Sequence, residues 1–129
     1  NTSAVVNTKS ISKDGGITTF RSNNWIKQNA KDTNVSISCE SLMLDSISRS
    51  DTIPVNRIEN SDVNFSHEAS IGKISDEVIF YMMSRGLTEA EAKSLIVKGF
   101  AEPIAKSFPV EYAVEMNRLI GLELEGTIG

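Results

Sequence analysis

The sequence predicts a mainly β unit followed by a helical unit, with the change between them near residue 74. Upstream, short runs of β-branched residues are separated by corners rich in Asn, Asp, Ser and Gly. Downstream, Glu, Ala and Leu recur at helical spacing behind clear helix starts. A length of 129 residues fits one domain, or one domain with a small appendage. We therefore expect a β unit at residues 1–73 and a helical unit at residues 74–129.

The β unit is predicted from short segments of alternating or β-branched residues. The predicted strands are residues 2–9, 17–26, 35–44, 53–58 and 63–65. Val35, Ile37 and Cys39 share one face of the third strand, because side chains alternate along a strand. A sandwich fits this spacing, and so does a β-helix whose coils turn at small polar corners. No clean repeat period decides between the two.

The first two helices of the tail are predicted from their capping residues. Ser75 is a good N-cap followed by acidic residues in the first turn, where the helix dipole favours them. Gly86 supplies the C-terminal stop of this first helix. Thr88 then begins a second helix, with Glu91 completing a capping box.

Prolines divide the rest of the tail. Pro103 should kink or restart the second helix, because it lacks an N–H. Pro109 is expected to occupy the first position of a third helix that Gly126 ends. The apolar positions expected to be buried are Val78, Ile79, Met82, Met83, Ala92, Leu95, Ile96, Gly99, Val110, Ala113, Val114, Leu119 and Ile120. The aromatic residues left over as candidate partner-binding residues are Phe80, Tyr81, Phe100, Phe108 and Tyr112.

The charge distribution restricts the classes of partner. A net charge of −4 argues against nucleic acid, since phosphate binding needs clustered Lys and Arg. Residues 71–129 carry 6 basic and 9 acidic side chains, so a basic partner surface would suit the helical half. No run approaches the roughly 18 apolar residues that a membrane helix needs. The single cysteine, Cys39, excludes an internal disulfide and fits a reducing, cytoplasmic compartment.

The chain begins at Asn1 without Met and enters a predicted strand at once. We therefore expect it to be the C-terminal part of a longer protein. Nothing in it matches the GxxxxGK[ST] loop that cradles nucleotide phosphates.

The candidate chemical groups are Cys39, His67 and Glu68. Thiolate, imidazole and carboxylate are all possible metal ligands. Cys39 and His67 are too far apart in the sequence for a local metal motif, so only the fold can bring the two together. Taken alone, a cysteine is more often a small buried hydrophobe, and a histidine in this setting is more often a hydrogen-bonded turn residue.

Short motifs along the whole chain match one known family. The matching segments are residues 9–13, 15–16, 21, 39–42, 67–69, 72–74, 80–81, 84–87, 91–92 and 122–126. In this order they resemble the SufB/SufD family of iron–sulfur cluster assembly proteins, and the chain is similar to the C-terminal portion of a SufB-type subunit. The resemblance implies the end of a right-handed parallel β-helix followed by a C-terminal helical subdomain of about three helices.

The resemblance also implies a function as a non-enzymatic scaffold. A SufC-type ATPase would bind the C-terminal helices, and a SufD-type subunit or a second SufB-type subunit would complete a dimer. An iron–sulfur cluster would be assembled transiently near the interface of that pair. One Cys and one His cannot supply four protein ligands, so the cluster would need residues from a partner or from another part of the chain.

The resemblance assigns the site residues as well. Cys39 occupies the position of the SufB cysteine implicated in cluster assembly, which the SufD branch generally lacks. His67 and Glu68 fall on the family's His and following Glu. Ser66 stands where SufB proteins commonly have a further acid, which leaves open how many carboxylates the site offers.

Three other functions stay open. One is a SufD-like architectural subunit without a cluster ligand, against which Cys39 argues. A second is a β-helix enzyme such as a polysaccharide lyase, for which the chain has no supporting motif. The third uses Cys39 as a thiol nucleophile with His67 as its base.

Overall fold

Five long strands form the first part of the chain in the computed structural model, which describes residues 1–125. They are β1 (Thr2–Ser12), β2 (Ile17–Ile26), β3 (Thr33–Met43), β4 (Arg49–Ile58) and β5 (Val63–Lys73). Three helices follow: α1 (Asp76–Ser84), α2 (Glu89–Ala105) and α3 (Val110–Leu124). The chain divides after Lys73 into two compact units, one of strands and one of helices.

The five described strands pair in parallel and alternate between two sheets. One sheet has the order β1-β3-β5 and the other contains β2 and β4. Paired positions differ in sequence number by 31 between β1 and β3, by 32 between β2 and β4, and by 30 between β3 and β5. The structural repeat thus varies in length, which explains why no clean period is visible in the sequence.

This pairing tests the predicted fold class. The parallel strands and the three helices that follow them are confirmed. An antiparallel sandwich is wrong for this chain, because its neighbouring strands would run in opposite directions. The β-helix itself stays a prediction.

Side chains from the two sheets meet in the interior of the β unit. On β3, Ile37 is 1% exposed and Cys39 is 3% exposed, whereas Asn34 and Ser36 between the inward positions are more accessible. The Ser50 hydroxyl on β4 donates to the Ser41 hydroxyl on β3 at 2.7 Å, which joins the two sheets. The predicted sharing of one face by Val35, Ile37 and Cys39 is confirmed, and this face is the inner one.

The predicted helix caps are confirmed. The Ser75 hydroxyl accepts from the Val78 N–H at 3.5 Å, and Gly86 ends α1 with a φ of +99°. In the capping box, the Glu91 N–H donates to the Thr88 hydroxyl at 3.2 Å while the Thr88 N–H donates to the Glu91 carboxylate at 2.7 Å.

Two predictions about the prolines need correction. Pro103 lies inside α2, which continues to Ala105, so the predicted restart is wrong. A proline removes only one N–H from the helix, and the other N–H groups of α2 keep their helical geometry. The predicted kink stays a prediction. Pro109 is the N-cap of α3, one residue before the first helical position. The predicted stop at Gly126 lies outside the described residues.

The buried face of the helices is narrower than the apolar pattern predicts. The buried residues are Ile79, Ala92, Val97, Ala101 and Ala105, and α3 has none among its described residues. Several positions expected to be buried are exposed, namely Val78, Met83, Leu95, Gly99, Val110, Val114 and Leu119. The reason is geometric: α2 contacts both α1 and α3, so only α2 has helices on two sides. None of the described helices is long and apolar enough to cross a membrane.

Candidate functional site

The only cysteine lies in the interior of the β unit, on the central strand of the three-stranded sheet. Cys39 is on β3, with β1 on one side and β5 on the other. Its backbone is opposite Thr8 of β1 and Ala69 of β5. Because β3 is paired along both of its edges, the position of the thiol is fixed by backbone hydrogen bonds on two sides.

The only histidine approaches this thiol from the neighbouring strand. His67 on β5 is opposite Ile37, so Cys39 is its diagonal neighbour on the same face of the sheet. The Cys39 Sγ and His67 Nε2 atoms are 3.4 Å apart and within hydrogen-bonding distance, with the donor set by the imidazole tautomer. Cys39 is buried and His67 is half-buried. The fold therefore brings together two groups whose sequence numbers differ by 28.

The distance suits two ligands of one metal ion. In a tetrahedral site with bond lengths of about 2.3 Å to sulfur and 2.0–2.1 Å to nitrogen, the two ligand atoms are roughly 3.6 Å apart. The observed 3.4 Å is close to this value. Within residues 1–125 there is no group of three or more His, Cys, Asp or Glu side chains that could hold a metal ion. The pair can thus supply two ligands of a site that other groups must complete.

The side chain of Glu68, the predicted carboxylate ligand, lies on the face of the sheet opposite to Cys39. Glu68 follows His67 directly on β5, so its side chain lies on the opposite, outer face, where it is exposed beside Ser38. Ser66 is on that outer face too, and its hydroxyl donates to the Ser36 hydroxyl at 3.3 Å. An acid in place of Ser66 would therefore add no ligand on the side of Cys39.

A group of hydroxyls beside Cys39 was not predicted from the sequence. Ser41 lies two positions further along the inner face of β3, and its hydroxyl contacts those of Ser10 and Ser50, each at 2.7 Å. The signal was available in principle, because Ser10 and Ser41 are paired in the β1–β3 register and both precede an apolar residue. These hydroxyls make the interior next to the thiol polar.

The candidate partner-binding aromatic residues differ in exposure. Phe80, Tyr81, Phe108 and Tyr112 are exposed, whereas Phe100 is half-buried. The Arg85 guanidinium lies 5.3 Å from the centre of the Tyr81 ring, within reach of a cation–π contact. Four of the five rings are therefore accessible in the helical unit.

Comparison with known proteins identifies the family. Residues 1–100 match the family model described as the SufBD core domain of the SUF system for FeS cluster assembly. The whole chain is 50% identical to an iron–sulfur cluster assembly SufBD family protein of Staphylococcus saprophyticus and 50% identical to the iron–sulfur cluster assembly protein SufB of Bacillus subtilis. It is 46% identical to a SufBD family protein of Mycobacterium tuberculosis.

The match covers all of this chain but only part of each relative. The chain spans 28% of the length of the Staphylococcus and Bacillus proteins and 15% of the mycobacterial one. The resemblance seen in the motifs is thus confirmed over the full chain. The chain belongs to the SufBD family of iron–sulfur cluster assembly proteins.

Proposed function

We propose that this chain is part of a scaffold subunit for iron–sulfur cluster assembly, and that Cys39 and His67 hold iron or sulfur of the nascent cluster. The observation that carries the proposal is the 3.4 Å contact between the Cys39 thiol and the His67 imidazole. Membership of the SufBD family suggests that the cargo of this pair is the iron or sulfide of a nascent cluster. Soft thiolate suits iron–sulfur clusters, and imidazole is a known iron ligand.

The cluster in this proposal is cargo that passes through the site. Two side chains leave at least two coordination positions of a tetrahedral iron to other groups. A transient cluster is therefore consistent with the ligand set, and we propose that the remaining ligands come from other parts of the protein or from a second subunit. Glu68 could add an oxygen ligand only to cargo that approaches the outer face of β5.

We also propose that residues 1–73 are the last coils of a right-handed parallel β-helix and that residues 74–129 form a separate helical domain. The parallel pairing, the alternation between two sheets and the similar spacing of all three strand pairs support the β-helix. The burial of Ile37 and Cys39 on β3 is consistent with this architecture, in which inward side chains pack against neighbouring coils.

The proposed partners are a SufC-type ATPase and a second SufB-type or SufD-type subunit. The helical unit is the proposed docking site for the ATPase, because it exposes Phe80, Tyr81, Phe108 and Tyr112 and carries a surplus of acidic side chains. The subunit itself is proposed to be non-enzymatic and cytoplasmic. Removing residues 75–129 from the full-length subunit should abolish capture of the ATPase. Capture with unchanged affinity would place the docking surface elsewhere.

The test of the site is the cluster content of the full-length subunit assembled with its partners. Cys39→Ser should abolish iron and sulfide loading, because the thiolate ligand is lost while a hydroxyl of similar size fills its place. His67→Ala should weaken loading. Glu68→Gln is the matched comparison on the same strand, since its side chain faces away from Cys39.

The outcomes separate the alternatives. If Cys39→Ser loads normally, the chain is an architectural subunit and Cys39 is part of the core. If Glu68→Gln loses loading as completely as Cys39→Ser, the cargo also occupies the outer face of β5. Unchanged folding of each variant is checked by its thermal unfolding transition.

A further inference from the structure

The outer face of the two-stranded sheet has no role in the proposed function. We define this face by the outward side chains of β2 and β4, which are the odd-numbered residues from 17 to 25 and from 49 to 57. Four large apolar side chains on it are exposed: Ile17 by 72%, Trp25 by 55%, Ile53 by 44% and Val55 by 56%. Ile53, Val55 and Trp25 are neighbours in the register of the sheet and form an apolar strip at one end of the face, whereas Thr19 and Asp51 separate Ile17 from them. An exposed apolar strip rimmed by polar residues is typical of a protein-binding surface.

The charges on this face are unbalanced. Arg49 pairs with Asp51 at 3.0 Å, and Arg57 pairs with Glu59 just beyond the end of β4 at 2.7 Å. Both carboxylates are thus already neutralised by neighbouring cations. Arg21, in the middle of the face, and Lys27, at its end, make no ion pair with any residue in the described part of the chain. Two positive charges are therefore left over next to the apolar strip.

Trp25 connects the charged and apolar parts. Its ring lies opposite Arg57 in the register of the sheet, and the Arg57 guanidinium is 4.9 Å from the ring centre. The Lys27 ammonium is 5.1 Å from the same centre. These contacts hold the exposed ring in place between two cations. Trp and Arg are the residue types that most often dominate the binding energy of protein interfaces.

We propose that the outer face of β2 and β4 docks an acidic amphipathic helix of a partner protein. Apolar side chains of the helix would cover Ile53, Val55 and Trp25, and its carboxylates would neutralise Arg21 and Lys27. The face also has the length for a helix. From Ile17 to Trp25 a strand rises about 26 Å, which a helix of roughly 17 residues would span.

Two other anionic partners fit the same face less well. Binding to a nucleic-acid backbone or to an anionic membrane depends on clusters of unpaired cations, typically 4 to 8 at a membrane. On the described face only two cations are unpaired, which is fewer than such binding uses. The apolar strip of Ile53, Val55 and Trp25, by contrast, would be buried best by apolar side chains of a partner. A polypeptide can supply both these and acidic side chains.

The test uses the full-length subunit and a fluorescently labelled helical peptide, long enough to span the face, with Leu on one side and Glu along its flanks. Binding is measured by anisotropy at low and high salt, and a peptide with Gln in place of Glu is the charge control. Arg21→Glu should weaken binding of the Glu peptide at least tenfold, and Trp25→Ala should weaken binding of both peptides. Lys31→Glu makes the same charge change in the turn after β2 and should alter affinity less than twofold.

Each other outcome contradicts the proposal. Failure of the wild-type subunit to bind the Glu peptide would show that the face is covered or unsuited. Equal affinity for the Gln peptide would show that charge complementarity does not contribute to binding. An equal loss of affinity in Arg21→Glu and Lys31→Glu would show the same. Tighter binding of a single-stranded oligonucleotide or of phosphatidylserine vesicles, lost in Arg21→Glu, would assign the face to a different class of partner. Cluster loading is expected to be unaffected by these variants, which keeps this test separate from that of Cys39.

Discussion

The β unit is held together by contacts between segments distant in sequence, whereas the helical unit depends more on local contacts. Residues 1–73 have equal numbers of basic and acidic side chains, eight of each, and fix their strands by ladders to partners distant in sequence. Residues 74–129 have five basic and nine acidic side chains and depend on local caps and on one central helix, α2. The buried thiol thus lies in the unit that is ordered by long-range ladders, and the exposed aromatic residues lie in the unit that is ordered by local interactions.

The largest expected effect tests the inner face of the β unit. Ile37 is among the largest fully buried side chains, and Ile37→Ala should lower the free energy of unfolding by about 2–5 kcal/mol through lost burial and a cavity beside Cys39. Ile17→Ala on the outer face should change it by less than about 0.5 kcal/mol. Urea unfolding of the full-length subunit measures both. Equal effects would mean that the two faces are not distinguished by packing.

The second prediction makes the same comparison within the helical unit. Val97 on α2 is fully buried. Val97→Ala should lower the free energy of unfolding by roughly 2 kcal/mol, because two buried methyl groups are lost and a cavity is left. Val114 on α3 is 63% exposed, so Val114→Ala should be nearly neutral. Thermal unfolding followed by helical circular dichroism measures the difference. A larger loss for Val114→Ala would show that α3 is packed against something in solution.

A smaller effect is expected at the start of α2. Thr88→Ala removes the hydroxyl that accepts from the Glu91 N–H and should destabilise the helical unit by about 1 kcal/mol. Thr88→Ser keeps the hydroxyl and should restore most of the stability. The readout is again the helical transition. No recovery in Thr88→Ser would assign the loss to the methyl group and not to the cap.

The smallest expected effect is a dependence of the stability of α2 on pH. The hydrogen bond from the Thr88 backbone, together with that from its hydroxyl, lowers the pKa of Glu91 below its ordinary value of 4.5. A carboxylate with a lowered pKa in the folded state stabilises the fold above the unfolded pKa and loses that contribution as the pH falls through the folded one. Helicity at α2 should therefore weaken below pH 4.5. Glu91→Gln should flatten this dependence, and a wild-type profile in that variant would place the titration elsewhere.

The parts of the fold that depend on neighbouring residues in sequence were predictable. The strand at residues 17–26 is confirmed at both ends as β2, and the caps at Ser75 and Thr88 are confirmed because capping is a local interaction. The lengths of the strands were harder to predict from the sequence. The predicted strand at residues 63–65 is part of β5, Val63–Lys73, because the ladder with β3 carries the strand through polar residues of low β propensity.

The site shows the same division. That Cys39 shares a face with Val35 and Ile37 follows from alternation along one strand, but its contact with His67 depends on the register between β3 and β5. Sequence spacing cannot give that register when the offset differs in each of the three strand pairs. The opposite orientation of Glu68, by contrast, follows from its position next to His67 once both are known to lie on a strand.

The alternation of strands between two sheets has a consequence for folding kinetics. Among the described strands no two consecutive ones pair, so the first backbone ladder cannot be a hairpin and must close a longer loop that contains a whole intervening strand. Proteins dominated by such distant contacts fold slowly, whereas helices joined by short turns form early. A strand whose partner has not yet folded exposes unpaired backbone N–H and C=O groups, which can pair with another chain. We therefore expect the β unit to be the part of this chain that is most prone to aggregate during synthesis.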